Sequence, residues 1–185
     1  MTLEVLEKDN YYHIYNKGIN GTAIFLDDEN KSFFLRQLDK YLSETISIFA
    51  YCLMDNHFHF VIKINAEGKR VTQGFSNFFN SYVKAFNKQN ARTGSLFEKH
   101  FKRIRLENEE YLRNLIIIIY IHLNPKHHLE LNFETYRFSS YRTILSDKPT
   151  KIKRNEIIGL FEDIENFIFC HKQKKDLLIQ KYTLE

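Results

Sequence analysis

His57 and His59 are separated by one aromatic residue within Asp55-Asn56-His57-Phe58-His59-Phe60-Val61-Ile62-Lys63-Ile64, an otherwise apolar segment. Side chains alternate across a strand, so His57, His59, Val61 and Lys63 share one face while Phe58, Phe60, Ile62 and Ile64 share the other. Neutral imidazole is the commonest side-chain metal ligand, and a loop before the strand can leave coordination positions open. The pair is therefore a candidate metal site. The same pattern also describes a half-exposed strand with two histidines facing water. Imidazole pairs ordinarily favour zinc, manganese or iron(II) over magnesium, so the residues alone indicate a divalent cation and not which one.

Tyr120 follows the apolar run Ile116-Ile117-Ile118-Ile119, and Asn124 lies four residues further on, which places the two on one helix face. In a buried helix a tyrosine is either a core residue whose hydroxyl finds one hydrogen bond, or a nucleophile that forms a covalent intermediate. With a reference pKa of about 10 the phenol needs a nearby cation or base to ionise. A metal at the two histidines would polarise a target phosphate and lower that requirement. Pro125 biases Asn124 away from helical geometry. Lys99, Lys102, Arg103 and Arg105 are interleaved with Phe97, Phe101 and Ile104. That mixture suits DNA binding, with phosphates neutralised and unpaired bases stacked, and equally describes a solvated basic strand with core aromatics. Asp55 reads as a turn residue in preference to a carboxylate beside the metal. His13 could face the same pocket if its strand neighbours that of His57, but a structural role is the preferred reading. His100 and His122 carry no assigned role, and His122 should point away from Tyr120.

These side chains need elements to hold them. Tyr11 to Asn16 reads as a strand ended by Lys17-Gly18 and Asn20-Gly21. Asp27-Asp28-Glu29 opens a helix with the stripe Phe34, Leu38, Tyr41 and Leu42. Thr45 to Met54 forms a strand that pairs as a hairpin with the His57 strand. Val71, Phe75, Phe78, Phe79, Tyr82, Val83 and Phe86 mark a long amphipathic helix ending near Asn90. Leu96 to Leu106 reads as a strand, and Asn108 with Glu109 and Glu110 opens a third helix that runs to Asn124-Pro125. This order predicts an α+β fold of ferredoxin-like or RRM-like character, an antiparallel sheet with helices packed on one face. A further helix begins at Asn155 and carries Ile157, Ile158, Phe161, Ile164 and Ile168. A polar junction around Ser146 to Lys153 divides the chain into residues 1–147 and a C-terminal helical extension, 148–185.

A chain of 185 residues buries about 70% of the surface it exposes when unfolded, so no disulfide scaffold is needed. The two cysteines, Cys52 and Cys170, form no CxxC motif and suit a reducing compartment. The start has no signal-peptide pattern and no apolar run reaches the roughly 20 residues of a membrane span, which predicts a cytoplasmic protein. A net charge of +4 is too small a bias to announce a nucleic-acid binder without the clustering at residues 99–105.

Tyr12-His13-Ile14-Tyr15-Asn16-Lys17-Gly18, Ala50 to His59, Arg92-Thr93-Gly94-Ser95-Leu96-Phe97, Tyr120-Ile121-His122-Leu123-Asn124-Pro125 and Phe138-Ser139-Ser140-Tyr141 together resemble the successive motifs of the single-tyrosine HUH transposases. They look closest to the REP-associated tyrosine transposase branch, over roughly residues 10 to 145. The resemblance implies a metal-dependent endonuclease and strand transferase acting on single-stranded or hairpin DNA, as a monomer or as a homodimer that exchanges the tyrosine helix. His57 and His59 would hold Mg²⁺ or Mn²⁺, Asn124 would complete the metal site, and Tyr120 would attack the scissile phosphate to leave a 5′-phosphotyrosine and a free 3′-hydroxyl. A second 3′-hydroxyl could then reverse the step without ATP. Asp55 stands where many relatives have proline, Phe138 where many have tryptophan, and Lys126-His127-His128 replaces a valine-containing continuation. A non-catalytic or domesticated nucleic-acid-binding protein of RRM-like fold is the alternative, and a phosphodiesterase acting through activated water a third reading.

Overall fold

Residues 4–106 and 117–174 are described in a computed structural model of the chain. Four segments rich in β-branched and aromatic residues form the strands β1 (Tyr11–Lys17), β2 (Ile46–Leu53), β3 (His57–Ile64) and β4 (Lys102–Leu106). They make one antiparallel sheet in the order β2-β3-β1-β4. β2 and β3 pair as the expected hairpin, closed by the Met54 N–H donating to the His57 carbonyl at 2.8 Å.

Directly opposed residues share a face. Opposite pairs Tyr12↔Ile62, Ile14↔Phe60 and Asn16↔Phe58 therefore look one way, while His13↔Val61, Tyr15↔His59 and Lys17↔His57 look the other. The first face is covered by α1 (Asp28–Leu42) and α2 (Gly68–Gln89). Asp27 caps α1 through its carboxylate, which accepts from the Asn30 N–H, and Asp28 and Glu29 complement the helix dipole in the first turn. Phe34 is the hub of this core, its ring 4.6 Å from Phe78, 4.8 Å from Tyr82 and 5.1 Å from Phe58. Gly74 lets α2 approach the end of α1, since a Cβ there would stand 2.8 Å from a Leu42 methyl and 3.1 Å from the Tyr41 carbonyl.

The α+β class and the antiparallel sheet are as the element order predicts. The other face of the sheet is also covered. α3 (Ile117–Leu129) lies across β2 and β3, and α4 (Tyr141–Leu145), α5 (Arg154–Leu160) and α6 (Ile164–Lys174) join it in a second core with Phe49, Val61, Leu123, Tyr141, Ile157 and Phe167. Phe138-Ser139-Ser140 runs along the outer edge of β2, where the Leu53 N–H donates to the Phe138 carbonyl and the Ser140 N–H to the Tyr51 carbonyl, both at 2.9 Å. No helix among the described residues is long and apolar enough to cross a membrane.

Three elements depart from the sequence-based expectation. The basic strand is shorter. Leu96 to Phe101 is a loop in which His100 takes a φ of 59°, a left-handed conformation that interrupts any strand. Helix α3 runs on through Pro125 to Leu129; its expected start at Asn108 to Glu110 lies outside the described residues. The C-terminal helix is broken in two where Glu162 takes a φ of 74°, after which Asp163 restarts it by accepting from the Asn166 N–H at 2.7 Å.

Candidate active site

Strand alternation delivers His57 and His59 to the face beneath α3, with ring centroids 5.1 Å apart and planes nearly perpendicular at 85°. Both are buried. The His57 Nδ1 lies 2.7 Å from the Asn56 carboxamide oxygen, the closer of its two amide-oxygen contacts, and donates to it in the tautomer that leaves the inward Nε2 able to act as a ligand. The His59 Nδ1 lies 2.9 Å from Nε2 of His13. His13 sits opposite Val61 on the central strand β1 and is thus a diagonal neighbour of His59, within reach across the sheet. Burial, with the neighbouring charges of His13, His57 and His128, holds His59 well below the ordinary histidine pKa, and burial lowers His13 to about 3. Both imidazoles are neutral near pH 7, the form in which a ring nitrogen offers a lone pair to a cation.

Tyr120 and Asn124 enter from α3, one helical turn apart, as their spacing requires. The Tyr120 ring lies 5.9 Å from the His59 ring within the same chain, edge to face at 84°. The Asn124 amide Nδ2 donates to the Tyr120 backbone carbonyl at 2.9 Å, which fixes the orientation of the carboxamide. Its oxygen consequently faces the His57 Nε2 at 3.2 Å. Pro125, inside the helix, does not displace Asn124 from helical geometry.

His57, His59 and Asn124 fit a divalent cation by their chemistry. The Nε2 of His59 is buried without a hydrogen-bond partner among the described residues, a costly state that a bound cation would relieve. Among the described residues no three His, Cys, Asp or Glu side chains converge on a common point, and the group beside the histidine pair that could add a third donor is the amide oxygen of Asn124. Such a donor set is uncharged. A cation held by it keeps its full positive charge for a phosphate.

Several groups beside these carry no sequence-based assignment. Tyr15 stacks against both histidines of the His13–His59 pair, its ring 4.9 Å from His13 and 5.6 Å from His59. Its alternation with His13 was the available signal. The His128 ring lies 5.1 Å from His57, and the His127 ring 6.4 Å from Tyr120. Lys31 is buried on α1 and reaches Asp55 at 2.7 Å and the Tyr136 hydroxyl at 3.2 Å, while that hydroxyl donates to the Leu53 carbonyl at 2.8 Å. Burial alone would depress Lys31, but the hydrogen bond to Asp55 and the Tyr136 hydroxyl outweigh it and raise its pKa. Asp55 is therefore committed to the turn, where its carbonyl also accepts the Ile24 and Phe25 N–H groups.

The four basic candidates separate. Lys102 is opposite Tyr15 and so shares the face of His59. Arg103 and Arg105 register on the opposite face: the Arg103 guanidinium stacks over Phe101 at 4.3 Å, and Arg105 binds Glu7 at 2.7 Å and Asn10 at 2.8 Å. Lys99 is exposed in the loop before β4. Phe97 and Phe101 pack on α2, against Phe79 and Phe75, which makes Phe97 a core residue and Phe101 a partly buried edge of that core. Lys17, exposed and opposite His57, is a further cation on the site face. His122 points away from the site, as expected, bonded to His171 at 2.8 Å and to the Ser140 hydroxyl at 2.7 Å. A groove of about 980 Å³ between Val5 to Lys8 and the start of α2 contains none of these side chains.

No family model and no curated protein sequence matches the chain. Among solved structures, that of a REP-associated tyrosine transposase bound to a REP hairpin matches with a TM-score of 0.64, covering 80% of this chain and 87% of that one. The two share a fold. At 14% identity the likeness is one of fold alone. A tRNA(His) guanylyltransferase from Saccharomyces cerevisiae, 15% identical over 90% of this chain and 84% of its own, has a TM-score of only 0.39, too low for a comparison of sites.

Proposed function

We propose that the chain is a metal-dependent single-stranded DNA endonuclease and strand transferase of the tyrosine transposase type. The observation that carries this reading is the meeting of Tyr120 and Asn124 with the histidine pair in one chain: the Tyr120 ring at 5.9 Å from His59, and the Asn124 oxygen at 3.2 Å from His57. The shared fold with a transposase that is bound to a DNA hairpin supports it.

In this reading His57, His59 and Asn124 hold Mg²⁺ or Mn²⁺, which when bound supplies Lewis-acid polarisation of the scissile phosphate. The Tyr120 oxygen forms a bond to phosphorus and the bond from phosphorus to the 3′-oxygen breaks. The proton lost by the phenol is balanced by the one the departing 3′-oxygen gains. The products are a 5′-phosphotyrosine on Tyr120 and a free 3′-hydroxyl, and attack by another 3′-hydroxyl reverses the step, releasing Tyr120 and joining strands. α3 keeps the phenol in the water-poor layer between helix and sheet. Lys102, with Lys99 in the adjoining loop, guides the DNA backbone toward the site; Arg103 and Arg105 contribute positive charge from the same strand.

Residues 1–147 form the catalytic domain in this reading, and the helical extension 148–185 braces it by packing α6 on α3. The substrate is single-stranded or hairpin DNA and the compartment the cytoplasm. Tyr120 serves the histidines of its own chain; in a homodimer that exchanges the helix it would serve those of its partner.

Incubation with a hairpin oligonucleotide and Mn²⁺ should give a protein-DNA adduct that survives denaturation, and both Tyr120→Phe and His57→Ala should abolish it. Cleavage that persists in Tyr120→Phe would mean that water, not the phenol, attacks. Undiminished binding with no cleavage in any metal would mean a nucleic-acid-binding module.

A further inference from the structure

His13 is wholly buried on the inner strand β1 and takes no part in the proposed chemistry. Its Nε2 stands 2.9 Å from the Nδ1 of His59, and the two rings are nearly parallel at 19°. One hydrogen lies between those two nitrogens, so the pair has two arrangements. When His59 carries it on Nδ1, its Nε2 is a bare lone pair able to take a cation, and His13 carries its own hydrogen on Nδ1. When His13 carries it on Nε2, the His59 Nε2 bears a hydrogen and cannot act as a ligand.

Among the described residues neither outer nitrogen, the Nδ1 of His13 nor the Nε2 of His59, has a hydrogen-bond partner. The protein without a cation thus satisfies neither arrangement fully. Tyr15 stacks on both rings and resists their tilting out of register. His57 differs, because its Nδ1 meets an amide oxygen in the ordinary way. We infer that His13 is a positioning residue, which accepts the hydrogen of His59 Nδ1 and thereby presents the His59 Nε2 lone pair to the cation. The inference rests on the proposal that His57, His59 and Asn124 hold a metal. Groups that orient a metal-bound imidazole through its second nitrogen are generally a carboxylate, a carbonyl or water. Here a second imidazole does so, and binding at His59 Nε2 drives the hydrogens of both rings one way.

Two measurements on the full chain test this. The first is long-range ¹H–¹⁵N NMR of histidine-labelled protein loaded with diamagnetic Zn²⁺, in which His59 is expected to be protonated at Nδ1 and metal-bound at Nε2. The second is the Mn²⁺ affinity by EPR titration. His13→Phe keeps a ring but loses the acceptor and is expected to weaken Mn²⁺ binding by about 10- to 100-fold. His13→Gln, whose amide oxygen restores an acceptor, is expected to recover most of the affinity. Unchanged affinity in a folded His13→Phe, a His13→Gln as weak as His13→Phe, or Zn²⁺ bound through His59 Nδ1 would overturn the inference. If His13→Phe does not fold, the NMR of the native chain and the His13→Gln titration still decide. Failure of the native chain to take up Mn²⁺ at all would overturn the metal proposal and this inference together, whereas unchanged affinity in His13→Phe overturns this one alone.

Discussion

The carboxamide oxygen of Asn124 faces the Nε2 of His57 at 3.2 Å because its amide nitrogen is held by the carbonyl of Tyr120. One side chain thus ties the strand of His57 to the helix of Tyr120. Asn124→Ala should lower Mn²⁺ affinity and adduct formation by about 10-fold or more, the loss expected when a ligand or its close support is removed. Asn124→Asp, which offers an anionic oxygen at the same position, should bind Mn²⁺ at least as tightly as the native chain. Titration of both variants checks this, and equal weakening by the two would remove Asn124 from the ligand set.

A cation that binds only the folded chain must also stabilise it. At a Mn²⁺ concentration 100 times its Kd the gain is about 2.7 kcal/mol, or roughly 5 to 10 °C in Tm for a chain of this size. EDTA should reverse the shift and His57→Ala should abolish it, which differential scanning calorimetry reads directly. A shift that survives in His57→Ala places the metal elsewhere.

Four buried histidines make the fold sensitive to acid. Burial lowers His13 to about 3 and His171 to about 4, and it holds His59 and His122 well below their ordinary value. Since the folded values lie below the unfolded value of about 6.5, the unfolded chain binds more protons in between. Their contribution to stability is complete above pH about 6.5 and is lost as pH falls, down to about 4 for His171 and about 3 for His13, at up to roughly 1.4 kcal/mol per pH unit for each histidine. Urea unfolding across that range should show a falling midpoint, with a shallower slope in His171→Gln. A midpoint that does not move with pH would contradict neutral burial of these rings.

Lys31 holds the β2-β3 turn from below. Its bond to the half-exposed Asp55 contributes little by itself, but its buried stem and the Tyr136 hydroxyl depend on it. Lys31→Ala should cost about 1 to 2 kcal/mol in urea unfolding and lower Mn²⁺ affinity by loosening the strand start that carries His57. Unaltered metal binding in a destabilised Lys31→Ala would separate the turn from the site.

The half of the site that depends on local geometry was legible in the sequence. Period-two alternation places His57 and His59 together, and helical spacing places Tyr120 with Asn124, whatever the rest of the chain does. The meeting of these pairs was suggested by motif order and depends on α3 crossing the sheet opposite α1 and α2, a face that the element order left bare. His13 was visible as a histidine alternating with Tyr11 and Tyr15. Its contact with His59 requires β1 to pair with β3, and strand order is a non-local property that no residue pattern encodes. The single left-handed residues His100 and Glu162, which shorten β4 and split the last helix, lie in stretches whose apolar periodicity continues across the break. Lys31 was hidden because a lysine in a helix ordinarily faces water.

Whether Tyr120 is the nucleophile can be read from the adduct itself. After reaction with a hairpin oligonucleotide in Mn²⁺, nuclease and trypsin digestion leaves the peptide Asn114 to Lys126, in which Tyr120 is the sole tyrosine. Mass spectrometry should find that peptide carrying a 5′-phosphonucleotide on Tyr120. A nucleotide on any other peptide, or cleaved DNA with no modified peptide, would contradict the central claim.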